Sequence, residues 1–415
     1  MNPPKMDFQS SRQVLRQVAE GVPAHLIGDL RWQALSNLVE DQPDEVKTAL
    51  KDHVDALLLR MKTLEASDID FGGPGCRNRI WYRVFGTKKP DTELPEYNID
   101  ETDILLLNLL TESERKKLFQ QRNLDFSYRV LDPEKNFWTR YRATVYFDLT
   151  HLALNMRRIN DQIIPFPKLG FNESVAKVLS LKYQKSGLIL VTGITGSGKS
   201  TTLDSIIDAN NRTMEAHIVI IADPIEYVHT PIKSIVKHRE IGRDVHSFKE
   251  GTVQALRQDP DIIMIGEMRD AETILTVLEV VDSGHKVFST LHTSSAVESI
   301  DRILGEIPPS EQNRIRTRLA DVLTCVISQK LVPGSDGGLH LAKEIMLSNP
   351  SIKTSIRNNN LGEIYQIIHQ SNDQGMITME QDLARLYADN KISYFDAYIH
   401  ANNKKRFEEL VKYKF

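Results

Sequence analysis

A chain of 415 residues, with 40% hydrophobic, 26% charged and 7% aromatic residues, is long enough for two or three domains and has the composition of an ordinary folded protein, which excludes the disordered and collagen-like classes. A formal net charge of -4 gives no global drive toward nucleic acid, and no nucleic-acid partner is expected. Two cysteines, Cys76 and Cys325, are too few for a disulfide framework or a four-thiolate zinc site and read as free thiols in a reducing compartment.

The opening stretch MNPPKMDFQSSRQ lacks a long apolar core and a small-residue cleavage site, and no run of about 18 apolar residues occurs anywhere, so a cytoplasmic location is expected. From Ser10 to Lys62 the pattern is helical, with Val46, Ala49, Leu50, Val54, Leu57 and Met61 recurring near the helical period. Residues 1–62 are therefore expected to form a helical extension. Its polar face mixes both signs of charge, which favours packing against its own chain or a sister copy over lying on a membrane. Residues 63–165 turn strand-rich: RIWYRVFG, LDFSYRVL and RYRATVYF alternate aromatic or β-branched residues with Arg, Ser and Thr, as in a small α+β domain. The stretch NDQIIPFPKLGFN, with two prolines and a glycine, suits a domain boundary.

Across residues 166–348, apolar runs such as GLILVTG, HIVIIAD, DIIMIGEM and HKVFSTLH alternate with helical segments, the pattern of an α/β sheet covered on both faces. The helix opening at Ala271 places Ile274, Val277, Leu278 and Val281 on one stripe, as a covering helix does. Residues 349–415 read as mostly helical, without internal repeats.

GITGSGKS, Gly193 to Ser200, matches G-x-x-x-x-G-K-[ST] in full, follows a strand and opens a helix. Gly193, Gly196 and Gly198 let backbone N–H groups approach phosphate oxygens, and the helix N-terminus adds partial positive charge. Thr195, Ser197 and Thr201 complete the loop, Lys199 supplies a point charge for the outer phosphates, and the Ser200 hydroxyl is suited to Mg2+. Farther on, DIIMIGE ends in Glu267, with Gly266 where an adjacent Asp is usual, so Glu267 is the acid able to hold the metal. ADPIEYVH places Asp223 and Glu226 after another strand. With the metal served by Ser200 and Glu267, Glu226 is free to deprotonate an attacking water; the plainer alternative is a turn cap after Pro224. His292, in TLHT, ends the next strand on the same carboxyl edge, where α/β folds bind ligands. It reads equally as a phosphate-sensing group or a structural histidine. His229, His238, His246 and His285 form no metal spacing and read as structural or surface residues.

The order GITGSGKSTT, ADPIEYVH, LRQDPDIIMIGEMRDAETI, SGHKVFSTLHTSSA and IDRI resembles the secretion ATPase superfamily and, within it, the PilT-type retraction ATPases of type IV pili, over roughly Ala66 to Ser393. The resemblance implies an α/β fold: a RecA-like P-loop ATPase core after a PAS-like α+β domain, here with an N-terminal helical extension and C-terminal helices. It implies ATP and Mg2+, and a homo-hexameric ring at the inner face of the cytoplasmic membrane. That ring would be attached peripherally through an inner-membrane pilus platform protein and the pilin filament machinery. By that resemblance Glu226 carries catalysis, Glu267 serves the metal, His292 couples the γ-phosphate to motion, and Arg142 and Arg157 reach the nucleotide from the N-terminal domain. Because RYRATVYF lies across the linker from the phosphate loop, Arg142 is expected to act in trans between neighbouring subunits.

Three features depart from the family pattern. Ala222 stands where Glu is usual, SIRNNN (Ser355 to Asn360) matches the retraction-associated stretch only in part, and the N-terminal extension has no counterpart in the typical retraction motor. Extension motors and type II secretion ATPases usually carry a four-cysteine zinc element, which two cysteines cannot build. The competing expectations are a DotB-like ATPase of a type IVB secretion system and a nucleotide-dependent scaffold that does not hydrolyse.

Overall fold

Three helices open the chain in the computed structural model, which describes residues 8–23, 25–84, 87–132, 137–159 and 163–414: α1 (Phe8–Ala19), α2 (Gly28–Glu40) and α3 (Asp44–Thr63). Residues 1–7 of the extension, 85–86 of RIWYRVFG and 160–162 of the linker lie outside the described residues. Then come β1 (Ala66–Gly72), β2 (Trp81–Val84), β3 (Thr87–Pro90), α4 (Ile99–Asn108), α5 (Glu112–Gln121), β4 (Asn123–Asp132), β5 (Phe137–Asp148) and β6 (His151–Arg158). The chain divides into two units, Met1–Asp161 and Gln162–Phe415.

In the first unit the six strands form an antiparallel sheet in the order β3-β2-β1-β6-β5-β4. Both helices between the strands begin at capping boxes, Asn98 with Glu101 and Thr111 with Glu114, each satisfying two backbone donors that a helix start leaves unpaired. Leu15, Trp32, Leu35, Leu50, Val54, Leu57 and Met61 of the opening helices share one buried core with Ile69, Phe71, Tyr141, Val145 and Leu154 of the sheet. The apolar face of the extension thus packs against its own chain. The phenol groups of Tyr82 and Tyr141 donate to the carbonyls of Leu57 and Leu58 at 2.9 and 3.0 Å, giving two buried hydroxyls the partners they require and fastening α3 to the sheet.

His53 of α3 lies at the centre of this packing, with Nδ1 2.8 Å from Ser11 Oγ of α1, Nε2 2.9 Å from Tyr97 Oη and its ring stacked on Phe8. Burial, and secondarily the Arg12 guanidinium, push its pKa down from 6.5 to about 4. Between those values the unfolded chain binds a proton that the folded unit does not, so the stability is complete above pH 6.5 and is lost as pH falls toward 4. Denaturant unfolding should therefore show His53 costing the N-terminal unit roughly 2 kcal/mol at pH 5 relative to pH 7. His53→Gln should remove that part of the pH dependence, and an unchanged pH profile would contradict the assignment.

The second unit runs through α6 (Glu173–Leu179), β7 (Gly187–Thr192), α7 (Lys199–Thr213), β8 (His217–Ala222), β9 (Ile235–Glu240), α8 (Phe248–Leu256), β10 (Ile262–Ile265), α9 (Ala271–Asp282), β11 (Lys286–Leu291), α10 (Ala296–Gly305), α11 (Gln312–Val322), β12 (Leu323–Pro333) and β13 (Leu339–Leu347). Its sheet has the order β13-β12-β7-β11-β10-β8-β9, parallel throughout except for β13. Every residue of β7, β10 and β11 is buried, as expected where helices cover both faces. On α9, Ile274, Val277, Leu278 and Val281 are all buried.

Helices α12 (Pro350–Arg357) and α13 (Ile364–Gln370) join this core through Ile352, Ile356, Ile364 and Ile368. Helices α14 (Met379–Ala388), α15 (Tyr394–His400) and α16 (Lys404–Lys414) build a smaller one with Val332 and Ala342 of the β12–β13 hairpin. The fold is the α/β P-loop architecture expected from the sequence, with an α+β unit before it. Among the described residues no helix is long and apolar enough to cross a membrane.

Candidate active site

Four adjacent parallel strands, β7, β11, β10 and β8, end on one edge of the sheet, and the segment leaving each carries one predicted group: the glycine-rich loop after β7, His292 after β11, Glu267 after β10 and Glu226 after β8. The loop has the backbone its glycines permit. A Cβ at Gly193 would lie 2.3 Å from Ser197 Oγ and 2.6 Å from the Gln329 carbonyl, and Gly198, which caps α7, has a φ of +84°. Thr195, Gly196 and Thr201 are exposed, Ser197 is buried, and Lys199 and Ser200 are partly covered at the start of α7. Lys199 Nζ donates to the carbonyls of Gly193 and Ile194 at 2.8 and 3.1 Å. Burial lowers the pKa of Lys199, while the carboxylates of Glu267 and Glu226 act in the opposite direction. One cation thus lies within the field of both predicted acids.

Glu267 is largely covered and is held between Arg269, whose Nε is 2.7 Å away, and His292, whose Nε2 is 3.4 Å away. Side-chain bonds between the strand ends fix this approach: Ser289 and Thr290 of β11 donate their hydroxyl protons to the carbonyls of Ile265 and Gly266. Beyond His292, Thr293 Oγ1 pairs with Ser299 Oγ on α10 at 2.7 Å. Glu267, Arg269, His292, Asp301 and Arg302 line a cleft of about 460 Å³. Glu226 is exposed in the irregular segment between β8 and β9. Ala222 and Gly266, the two positions where the sequence lacks expected acids, are neighbours: Gly266 N–H donates to Ile221 O, and a Cβ at Gly266 would meet the Cα and Cβ of Ala222 at 3.3 and 3.4 Å.

Arg142 and Arg157 belong to the other unit, where they are direct partners across the β5–β6 ladder. Arg157 Nε lies 2.8 Å from Asp68 Oδ1, and Arg142 is exposed. Two residues at the phosphate loop and its neighbouring acid escape the sequence patterns. Gln329 of β12 donates from Nε2 to the Ser197 carbonyl at 2.8 Å and so holds the loop from the adjacent strand. Its signal, a buried glutamine within the apolar run VISQKLV, is faint. Arg269 is visible as the charge two residues beyond Glu267, but its pairing with that acid is not.

Residues 133–405 match the type II/IV secretion system protein family. The chain belongs to that family. Family membership covers β5, β6 and the whole sheet that carries the site. The type IV pilus retraction ATPase PilT of Pseudomonas aeruginosa is 37% identical over 300 residues, 72% of this chain and 85% of that one. The crystal structure of the pilus retraction motor PilT with bound ADP matches with a TM-score of 0.78 at 37% identity, covering 86% of this chain and 99% of the other. The ATPase DotB of Legionella pneumophila matches with a TM-score of 0.69 at 25% identity, covering 84% of this chain and 95% of that one.

The residues present suit a phosphate chain with a divalent cation. Backbone at Gly193 is too confined for a side chain, α7 points its N-terminus at the loop, and Lys199 is poised beside it. Among the described residues no cluster of three or more His, Cys, Asp or Glu could hold a metal alone. A cation bound by one hydroxyl and one carboxylate together with phosphate oxygens, the usual mode for Mg2+, needs no such cluster.

Proposed function

We propose that the chain is a homo-hexameric ring ATPase whose ATP hydrolysis powers type IV pilus retraction, working at the inner face of the cytoplasmic membrane on a platform protein and the pilin machinery. The observation that carries this proposal is the convergence of Lys199, Glu226 and Glu267 on one sheet edge, with both carboxylates acting on the lysine. The similarity to PilT over most of both chains supplies the cellular role.

In the proposed mechanism the backbone N–H groups from Gly193 to Thr201 cradle the phosphates, and Lys199 exchanges its loop carbonyls for the outer phosphate oxygens. Ser200 Oγ and Glu267 would hold Mg2+, which supplies charge neutralisation between the phosphates. Arg269, a flexible and mostly exposed side chain, releases Glu267 for that purpose. Glu226 takes the proton from the attacking water. His292, beside Glu267, would report the change at the γ-phosphate to α10, a role that the Thr293–Ser299 bond supports. Glu226 therefore has a different task from Glu267, and a carboxylate facing a polyanion is useful because it handles a proton. A DotB-like secretion role is the weaker alternative, given lower identity to DotB than to PilT. A non-hydrolysing scaffold would have no use for Glu226.

Arg142 is proposed as an arginine finger from the neighbouring subunit, a contribution of about 10³ to 10⁵ in rate. Arg157, opposite Arg142 on the ladder and paired with Asp68, is the second arginine proposed to reach the nucleotide from that unit. Mixing Arg142→Ala protein with Glu226→Gln protein should restore part of the ATPase activity that each lacks, because mixed rings contain interfaces where an intact arginine meets an intact glutamate. No recovery, with subunit exchange verified separately, would contradict the trans assignment and leave Arg142 a structural residue of the N-terminal unit.

A further inference from the structure

The segment that carries Glu226 is an unusual connection. Strands β8 and β9 are parallel neighbours, and such strands are normally joined through a helix, yet the residues between Ala222 and Ile235 form no helix or strand. A connection without internal backbone ladders must be held by its surroundings. Here Ile225 N–H donates to Glu240 Oε2 at 3.1 Å, and His229 N–H donates to His238 Nε2 at 3.0 Å. Helix α7 supplies further anchors. Asn211 donates to the Thr230 carbonyl at 2.8 Å and accepts from Ile232 N–H at 3.0 Å, and the His229 ring places Nε2 3.0 Å from Asp204 Oδ1.

The histidine is the informative member. His229 is 2% exposed, stacked beside His238 and edge-on to Tyr227. Because a carboxylate accepts, Nε2 carries the proton and donates it to Asp204. The other ring nitrogen, Nδ1, is buried without a hydrogen-bond partner. A buried unpaired polar atom is costly, and an apolar side chain would fill the same space without it. What the histidine provides in return is a directed bond to Asp204, which lies five residues beyond Lys199 on the helix that begins at the phosphate loop.

We propose that Asp204 and His229 are a positioning pair that locks the Glu226 segment to the phosphate-loop helix, so that the distance from Glu226 to the water it deprotonates is set by the same helix that seats the phosphates. Only Tyr227 and Val228 separate His229 from Glu226, so a shift at the pair is transmitted over a short stretch of chain to the carboxylate. The proposal rests on Glu226 being the general base.

Steady-state ATPase kinetics and the affinity for a fluorescent ADP analogue, measured on the full chain, test it. Asp204→Ala should lower kcat by about 10- to 100-fold while nucleotide affinity stays within about twofold, the pattern of a misplaced base. Asp204→Asn, whose amide oxygen accepts the same bond, should keep most of the activity. His229→Leu, which fills the buried site but cannot donate, should lose kcat like Asp204→Ala while keeping or raising the melting temperature. In a Glu226→Gln background neither change should lower the rate further. Wild-type kcat in Asp204→Ala and His229→Leu beside a slow Glu226→Gln would overturn the positioning pair alone. A parallel loss of nucleotide affinity would overturn it too, as general damage to the helix. Normal turnover in Glu226→Gln would instead remove the base assignment from which the proposal starts.

Discussion

Lys199→Ala is expected to abolish measurable ATP binding. Lys199 is the one cation in the sequence of the loop, and its ammonium already lies within hydrogen-bonding reach of the Gly193 and Ile194 carbonyls, so reaching a phosphate placed in that loop takes only a small swing of a flexible side chain. Charge-assisted hydrogen bonds contribute about 1.5–3 kcal/mol each, so losing two of them lowers affinity by on the order of 100-fold or more. Removal also leaves Glu226 and Glu267 facing the phosphates without the cation that offsets them. Titration calorimetry with ATP and Mg2+ measures the effect directly, and unchanged affinity would contradict the assignment of the loop.

Glu226→Gln is expected to leave nucleotide binding nearly intact and to lower turnover by about 10²-fold or more, the usual scale for losing a general base. The substitution keeps the shape of the side chain and removes only its capacity to take a proton. Neither of the anchors beside it, Ile225 N–H to Glu240 and His229 to Asp204, uses the Glu226 side chain, so the segment should keep its course. Steady-state hydrolysis alongside the binding titration separates the two effects. Normal turnover would return Glu226 to the role of a turn cap after Pro224.

Legibility of the site in the sequence follows from where its groups come from. Gly193, Gly198, Lys199 and Ser200 are readable because the loop is local: spacing alone sets which backbone donors and side chains face one phosphate chain. Glu226, Glu267 and His292 come together because each follows closely on an apolar strand, after Ala222, Ile265 and Leu291 respectively, and the ends of neighbouring parallel strands share an edge. Gln329 is not readable, because its partner Ser197 lies 132 residues away and is brought close only by β12 lying beside β7. Asp204 and His229 escape for the same reason: an acid on a helix and a histidine in a loop have no periodic signature until α7 and the β8–β9 connection are packed together.

The fold divides in the same way. The buried central strands announce themselves as apolar runs, whereas β9, at the sheet edge, reads IVKHRE, with Lys237 exposed, Arg239 half-buried and Glu240 buried. Strands β12 and β13 contain Ser328, Gln329, Lys343 and Glu344, buried polar residues that break the apolar pattern. All four have tertiary partners: Ser328 bonds Thr192, Gln329 donates to the Ser197 carbonyl, Lys343 Nζ donates to the Leu169 carbonyl, and Glu344 accepts from Ala296 N–H, all contacts invisible along the chain. In the N-terminal unit the helical period of α3 is plain, but the sheet it covers is recognisable only after β1 and β6 pair.

The central claim is that hydrolysis at Glu226 drives filament retraction, and time-lapse imaging of labelled pili tests it most directly, in a strain whose own copy of this chain is replaced by Glu226→Gln. The account predicts pili that still assemble but no longer shorten, with the variant protein binding nucleotide normally in vitro. Pili retracting at the wild-type rate in that strain would contradict it.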